Sequence, residues 1–507
     1  MQTLRLQRNS LVAIPEGQLA NLRNLEELDL SDNRLTVISS VTFASLSNLK
    51  CLSLSENNIT GSLTSSFLLH LRNITKLNVS RNNISALSLD ALHACWQLVV
   101  VDLSSNRISS LDADSFLAVT SLRVLDLNAD SLTTVLPSTF QALADLRHLR
   151  LSKNGLHSIP PQTFIRNSRL EFLDLSFNLI NSIPDNLFSM NSSLVSLDLS
   201  HNVLTNVGRF LLNVSSLRHL VISSNFLSQL RLPVFRNLVN IVYFDVRENR
   251  LEDQLDGRLL SWLPGLEEFL IDRNNVTGVR LQGPSVRLVR LTMLSNALTE
   301  LPRLFQAPKF GATRCQQQVY ISAVNDVSFT SCQNLRQLLL KNNRITSLSV
   351  SAFRGLSQLT ELDLSDNRLS SLSKGLFRSC SVLSAVYLSH NQLTVVQVGT
   401  FAGPVSLRDV DLSWNKLTTL TADETLLTSL DRLSLSGNPL HCHCHLSWLS
   451  AYSVPVNHNT TICCPQHDVR PQLCRYIVCG VSHAACPATT LPTGLCSQTV
   501  PWSLIGK

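Results

Sequence analysis

The sequence predicts an α/β repeat solenoid, in which short parallel strands stack into a sheet on one face and short helical or irregular segments return along the other. Three observations lead there. The pattern L-x-L-x-x-N recurs with an Asn, once an Asp, at positions 9, 33, 57, 82, 106, 130, 154, 178, 202, 225, 249, 274, 296, 325, 343, 367, 391, 415 and 438, mostly in steps of 24 residues. Ten residues after that position stands a Phe, at 43, 67, 116, 140, 164, 188, 235, 353, 377 and 401, with Leu at 92 and 259 in the same phase. The 507 residues are 44% hydrophobic and 15% charged, which marks a folded chain whose length comes from repetition.

Each part of the coil has a physical task. In copies such as Leu28-Asp29-Leu30-Ser31-Asp32-Asn33, Leu173-Asp174-Leu175-Ser176-Phe177-Asn178 and Leu362-Asp363-Leu364-Ser365-Asp366-Asn367, alternate leucines point inward from a short strand. One coil cannot bury its own apolar face, so about nineteen must share a core, with Leu28, Leu173 and Leu362 inside it. The Asn at the turn both donates to and accepts from the backbone of neighbouring coils. The Phe series is expected to stack as a spine under the convex side. Convex segments bulkier than strands bend such a stack into a horseshoe with an open concave face.

Two departures from the pattern stand out. Between Asn296 and Asn343 the steps become 29 and 18, and the segment 302–332 carries Pro308, Gly311, Cys315 and Cys332. It reads either as a protruding disulfide-closed loop that carries binding or as a plain irregular repeat. At position 130 an Asp replaces the ladder Asn, a tolerated variant.

After the last ladder position the chain reads Asn438-Pro439-Leu440-His441-Cys442-His443-Cys444-His445-Leu446-Ser447-Trp448-Leu449. This N-P-L-x-C-x-C run followed by L-x-W-L resembles the cysteine-rich C-terminal capping module of animal leucine-rich-repeat ectodomains, and the 24-residue coils resemble those of Toll-like receptors. The resemblance runs from residue 1 to about 496. It implies a solenoid over 1–438, a cap over 439–496 that covers the open end of the last coil, and a tail over 497–507. It also implies disulfides among Cys442, Cys444, Cys463, Cys464, Cys474, Cys479, Cys486 and Cys496. The preferred first bridge joins Cys442 or Cys444 to Cys463 or Cys464, and the connectivity stays open. A metal site on His441, His443, His445 and these cysteines competes, but C-x-C followed by Trp448 fits the cap better.

Cysteine density at the C-terminal end and eight Asn-x-Ser/Thr acceptors, at Asn58, Asn73, Asn78, Asn83, Asn191, Asn213, Asn275 and Asn459, both indicate an extracellular setting. No run of 18 apolar residues signals a membrane span. Met1 leads at once into the middle of a repeat, which reads as a fragment or a misplaced start. The formal charge is +6 with Lys and Arg scattered, so nucleic acid is not signalled as a partner. Neither H-E-x-x-H nor G-x-S-x-G nor a phosphate-cradling glycine loop occurs, so no enzyme and no cofactor are expected.

What remains is recognition of a protein or microbial ligand on the concave or lateral face, with homodimerisation on ligand binding. A secreted or matrix adhesion protein, or a carrier, is the alternative. Ligand contacts are expected beside the strand leucines, where the distinctive residues are His148, Phe172, Phe177, His201, His219 and Tyr243, with a second cluster at Tyr387, His390 and Trp414. The competing reading is that Phe177 and His201 merely vary a tolerant position next to the ladder. The Asp stripe at 29, 102, 126, 174, 198, 245, 363 and 411 is read as repeat consensus. A glycan on Asn78 would project from the concave face and keep large ligands off the first four or five coils.

Overall fold

The computed structural model describes residues 1–230, 232–255, 259–282, 287–298, 303–305, 333–420 and 430–440. The cap cysteines from Cys442 to Cys496, together with Asn459, Cys315, Cys332 and most of 302–332, lie outside the described residues. The chain divides into two compact units, Met1–Arg250 and Leu251–Lys507.

Each L-x-L element is a three-residue strand. In the first unit these are Thr3–Arg5, Glu27–Asp29, Cys51–Ser53, Lys76–Asn78, Val100–Asp102, Val124–Asp126, His148–Arg150, Phe172–Asp174, Ser196–Asp198, His219–Val221 and Tyr243–Asp245. They pair in chain order, parallel and in strict register, as in Leu149 beside Leu173 beside Leu197. The second unit repeats this with Glu268–Leu270, Arg290–Thr292, Gln337–Leu339, Glu361–Asp363, Ala385–Tyr387, Asp409–Asp411 and Arg432–Ser434. Among the described residues helix is confined to short turns on the return side, Ser65–Leu68, Arg209–Asn213, Leu232–Phe235 and Leu259–Trp262. The middle residue of each strand and the residue after it face the core; Leu28, Leu30, Leu173, Leu175, Leu362 and Leu364 are all buried.

The ladder works as its chemistry requires. Asn178 accepts the Leu156 N–H on Oδ1 at 3.0 Å, while Nδ2 donates to the carbonyls of Leu151, Leu175 and Ser176 at 2.9, 3.1 and 3.2 Å. One side chain thus serves four backbone groups, some of which it shares, as the Ser176 carbonyl also accepts the Lys153 N–H at 2.9 Å; a buried group of this kind left orphaned costs about 1–3 kcal/mol. The residue before the ladder Asn is left-handed in every coil from Arg8 to Trp414 for which it is described, with φ between 52 and 57°. That conformation costs about 1–2 kcal/mol for a residue with a Cβ. Its N–H is paid back in bonds to the next coil, as from Phe177 to the Ser200 carbonyl at 2.9 Å.

The aspartate of L-D-L-S has a role in the same turn. Asp174 Oδ1 accepts the Ser176 N–H at 2.9 Å and its hydroxyl at 2.7 Å, and Asp198 does the same with Ser200 at 2.8 and 2.6 Å. The stripe therefore pins the chain as it leaves the strand.

The Phe spine forms, with two corrections. Phe116, Phe140, Phe164 and Phe188 stack at 5.8–6.2 Å between successive centroids, and Phe353, Phe377 and Phe401 at 5.4–5.6 Å. Phe67 is only half-buried and meets Phe43 edge-on at 6.1 Å, because its coil is one residue longer and Leu68 turns inward instead. In the coil after Asn202, one residue shorter than the common 24, Phe210 fills the spine and packs on Phe188 at 6.5 Å.

The ladder also skips an expected rung. Arg290–Thr292 pairs directly with Gln337–Leu339, and Asn343 donates to the Met293 carbonyl at 2.7 Å while accepting the Leu298 N–H at 3.2 Å. Asn343 thus occupies the place next to Asn296 that the spacing assigns to Asn325. At the start of the irregular segment, Arg303–Phe305 is a strand parallel to Asn275–Gln282, which in turn pairs with Glu252–Leu255.

Candidate functional site

The strand register sorts the aromatic and imidazole residues of the first unit into two rows. His148, Phe172, His219 and Tyr243 are first residues of their strands, so they stand on the open sheet face in the order His148, Phe172, Ser196, His219, Tyr243. The rings form two tilted pairs, His148 with Phe172 at 6.1 Å and His219 with Tyr243 at 6.3 Å, with the small Ser196 between them. All are half-buried except His219, which is exposed.

Phe177 and His201 belong elsewhere. Both are left-handed residues ahead of the ladder Asn, three residues past the ends of their strands. Their rings stack at 3.9 Å and 12°, and the Lys153 ammonium of the coil before lies 5.8 Å from the Phe177 centroid. The side chains thus form a short ridge from coil to coil, Lys153 to Phe177 to His201. One residue past the ladder, Leu179 and Phe226 are exposed, and the Arg250 guanidinium covers Phe226 at 4.3 Å. Sequence reasoning passed over Leu179, Phe226 and Arg250, because the position after the ladder carries no fixed residue type.

Between the two rows runs the third strand position: Asp126, Arg150, Asp174, Asp198, Val221 and Asp245. Arg150 bonds Asp126 at 3.1 Å and lies 5.6 Å from the Phe172 centroid; Arg247 pairs with Asp245 at 2.7 Å. Burial pushes the Asp126 carboxyl up despite Arg150. It also raises Asp198, with Asp174 and Asp245 adding repulsion against the hydrogen bonds from Ser200.

The second cluster also divides. His390 and Trp414 are left-handed ridge residues stacked at 5.6 Å and 7°, with Trp414 exposed. Tyr387 stands on the sheet face, half-buried, its hydroxyl 3.4 Å from Asp409 Oδ2; burial and then Asp409 raise its phenol. The acceptor Asn78 sits on the sheet face in the position taken elsewhere by Asp, its Oδ1 accepting the Ser80 N–H at 2.9 Å and hydroxyl at 2.7 Å. Asn58 and Asn275, one residue past the ladder, are exposed, and so are Asn73 and Asn191; Asn83 and Asn213 are half-buried.

Among the described residues no group of three or more His, Cys, Asp or Glu is arranged to hold a metal, and no helix is long and apolar enough to cross a membrane. The family profile described as "Leucine rich repeat" matches residues 1–59, 96–156, 146–204, 319–369, 333–393 and 381–440, more than half of the chain, and a second such profile matches 70–92. The chain belongs to the leucine-rich-repeat family. That fold is typically a protein-binding scaffold, and no catalytic family matches. No curated protein matches this leucine-rich-repeat chain.

Among solved structures it is similar to YopM of Yersinia enterocolitica, at 23% identity and a TM-score of 0.59 over 87% of this chain and 79% of that one. A leucine-rich-repeat protein of Leptospira interrogans matches at 22% identity and 0.56 over 86% and 90%. The Arabidopsis receptor kinase HAESA, in complex with the peptide hormone IDA and a co-receptor, matches at 22% and 0.55 over 87% and 74%. At such identities the likeness is one of fold.

Proposed function

We propose that this chain is an extracellular recognition protein of the receptor-ectodomain type, which binds a protein, peptide or microbial ligand on its sheet face or the adjoining ridge and catalyses no reaction. The observation that carries the reading is the row His148, Phe172, Ser196, His219, Tyr243, which sets two ring pairs in register on a sheet whose leucines are committed to the core. Rigid aromatic side chains supply contact area at low entropic cost. A peptide-bound receptor kinase among the fold's neighbours supports the same use.

The N-P-L-x-C-x-C run and the 24-residue coils favour a Toll-like ectodomain. Under this reading Cys442 to Cys496, and Cys315 with Cys332, are disulfide-bonded, the eight Asn-x-Ser/Thr sites carry glycans, and ligand brings two copies together.

The test is photocrosslinking from p-benzoylphenylalanine placed at Tyr243, or at the exposed Leu117 of the return side, with surface-labelled cells as the source of partner. Discrete adducts from position 243 and none from 117 are expected; equal adducts from both contradict the reading. Light scattering then separates the alternatives, since ligand-dependent dimerisation supports a receptor and constitutive self-association supports an adhesive matrix protein.

A further inference from the structure

Between the two ring pairs of the first unit the sheet face has a slot one side chain wide. Phe172 and His219 flank Ser196 in register, two strand spacings or about 9.6 Å apart, and Ser196 puts only a hydroxymethyl group between them. Asp198, two residues along the same strand and hence on the same face, borders the slot, with Asp174 next to it. Each of these carboxylates commits Oδ1 to the serine of its own turn, and neither makes an ion pair among the described residues.

The same face shows what such a setting holds. One coil back, the Arg150 guanidinium sits against the Phe172 ring while bonding Asp126, and on the far side Arg247 neutralises Asp245. The carboxylates on both flanks are thus matched by a cation of the chain itself, and the pair between them is not. A flat group placed midway in the slot lies about 4.8 Å from each flanking strand position, close to the distance at which a guanidinium stacks on a ring.

We propose that the Ser196 slot receives an arginine side chain from an extended basic segment of a partner polypeptide, stacked between Phe172 and His219 and bonded to Asp174 and Asp198. This deepens the reading of the sheet face as the binding surface and rests on it. Arginine suits the slot better than lysine, because a planar fork both stacks and bonds carboxylates side by side. The formal charge of the whole chain is +6, so a cationic segment is drawn here by the local carboxylates and not by net charge.

The experiment uses the full chain and a fluorescein-labelled hexa-arginine peptide, followed by fluorescence anisotropy at physiological salt, with the uncharged hexa-citrulline peptide as its isostere. Asp198→Asn and Ser196→Phe are each expected to weaken the arginine peptide at least tenfold, and citrulline to bind at least tenfold more weakly than arginine. Asn at 198 keeps the turn, since Asn78 holds Ser80 in that way in its own coil. Asp411→Asn, at the same strand position in the second unit, is expected to change affinity less than twofold. Wild-type affinity in both slot variants, or an equal loss in Asp411→Asn, overturns the slot. If crosslinking from position 243 persists in that case, the sheet-face reading survives; if it is absent, both fall.

Discussion

Replacing Asp130 by Asn should stabilise the first unit, and more so at neutral than at acidic pH. Asp130 Oδ1 accepts the N–H groups of Asn106 and Ile108 at 3.1 and 3.3 Å, but Oδ2 is buried without a partner. In the next rung the corresponding atom is Asn154 Nδ2, which donates to the carbonyls of Leu127, Leu151 and Ser152 at 2.9–3.2 Å. A carboxylate at 130 therefore has an oxygen where the ladder calls for a donor. Burial, helped by Asp126 and Asp102 and opposed by the two N–H bonds, pushes its carboxyl up to about 7. An open Asp titrates near 3.9, so between about pH 4 and 7 the folded chain holds a proton that the unfolded chain has released. Stability falls as pH rises through that window. At about 1.4 kcal/mol per pH unit the penalty above pH 7 approaches roughly 4 kcal/mol, an upper bound. Urea unfolding followed by circular dichroism should show Asp130→Asn gaining about 2–4 kcal/mol at pH 8 and less than half of that at pH 5. A gain that is equal at both pH values, or absent at pH 8, refutes the reasoning.

Gly437 has φ +73°, and a Cβ there would lie 2.7 Å from the Trp414 ring. Gly437→Ala should cost about 2–3 kcal/mol in thermal unfolding, and the double change with Trp414→Ala should cost less than the sum of the two, keeping only the backbone part of about 1 kcal/mol. Burial pushes the thiols of Cys95 and Cys380 up to about 12, while the half-buried Cys51 is raised less, with Lys76 opposing. Iodoacetamide at pH 8 should therefore label Cys51 in the native chain and spare Cys95 and Cys380, as read by peptide mass spectrometry; equal labelling contradicts the packing of the core. Secreted expression should yield a glycopeptide at Asn78, and an unmodified Asn78 removes the argument that the first coils are shielded.

How much of this was legible follows from what each residue does. The inward leucines, the ladder Asn and most of the Phe spine are read directly, because burial and backbone satisfaction admit few residue types at Leu173, Asn178 or Phe164. The left-handed position leaves no such trace: Arg8, Glu56, Phe177, His201 and Trp414 share one φ and no chemistry. From sequence alone Phe177 and His201 therefore group with Phe172 and His148, although they lie in the turn and not in the strand. Coil length shows in the sequence as a changed step, but which side chain then turns inward does not, as Phe67, Leu68 and Phe210 illustrate. Asn325 matches the pattern, yet a rung is defined by its neighbours, and Asn343 already bonds Met293. The slot at Ser196 emerges only from register, since its walls and floor come from three coils.

The most direct test of the account is cross-strand disulfide formation on the sheet face. Ser196 lies beside Phe172 in register, and adjacent strands put their Cα atoms about 4.8 Å apart, within disulfide reach. The pair Phe172→Cys with Ser196→Cys should close under mild oxidation, as mapped by mass spectrometry, while Phe172→Cys with His219→Cys, one strand further, should stay reduced. Closure of the second pair in preference to the first would contradict the stacking order on which the coil, the row and the slot all depend.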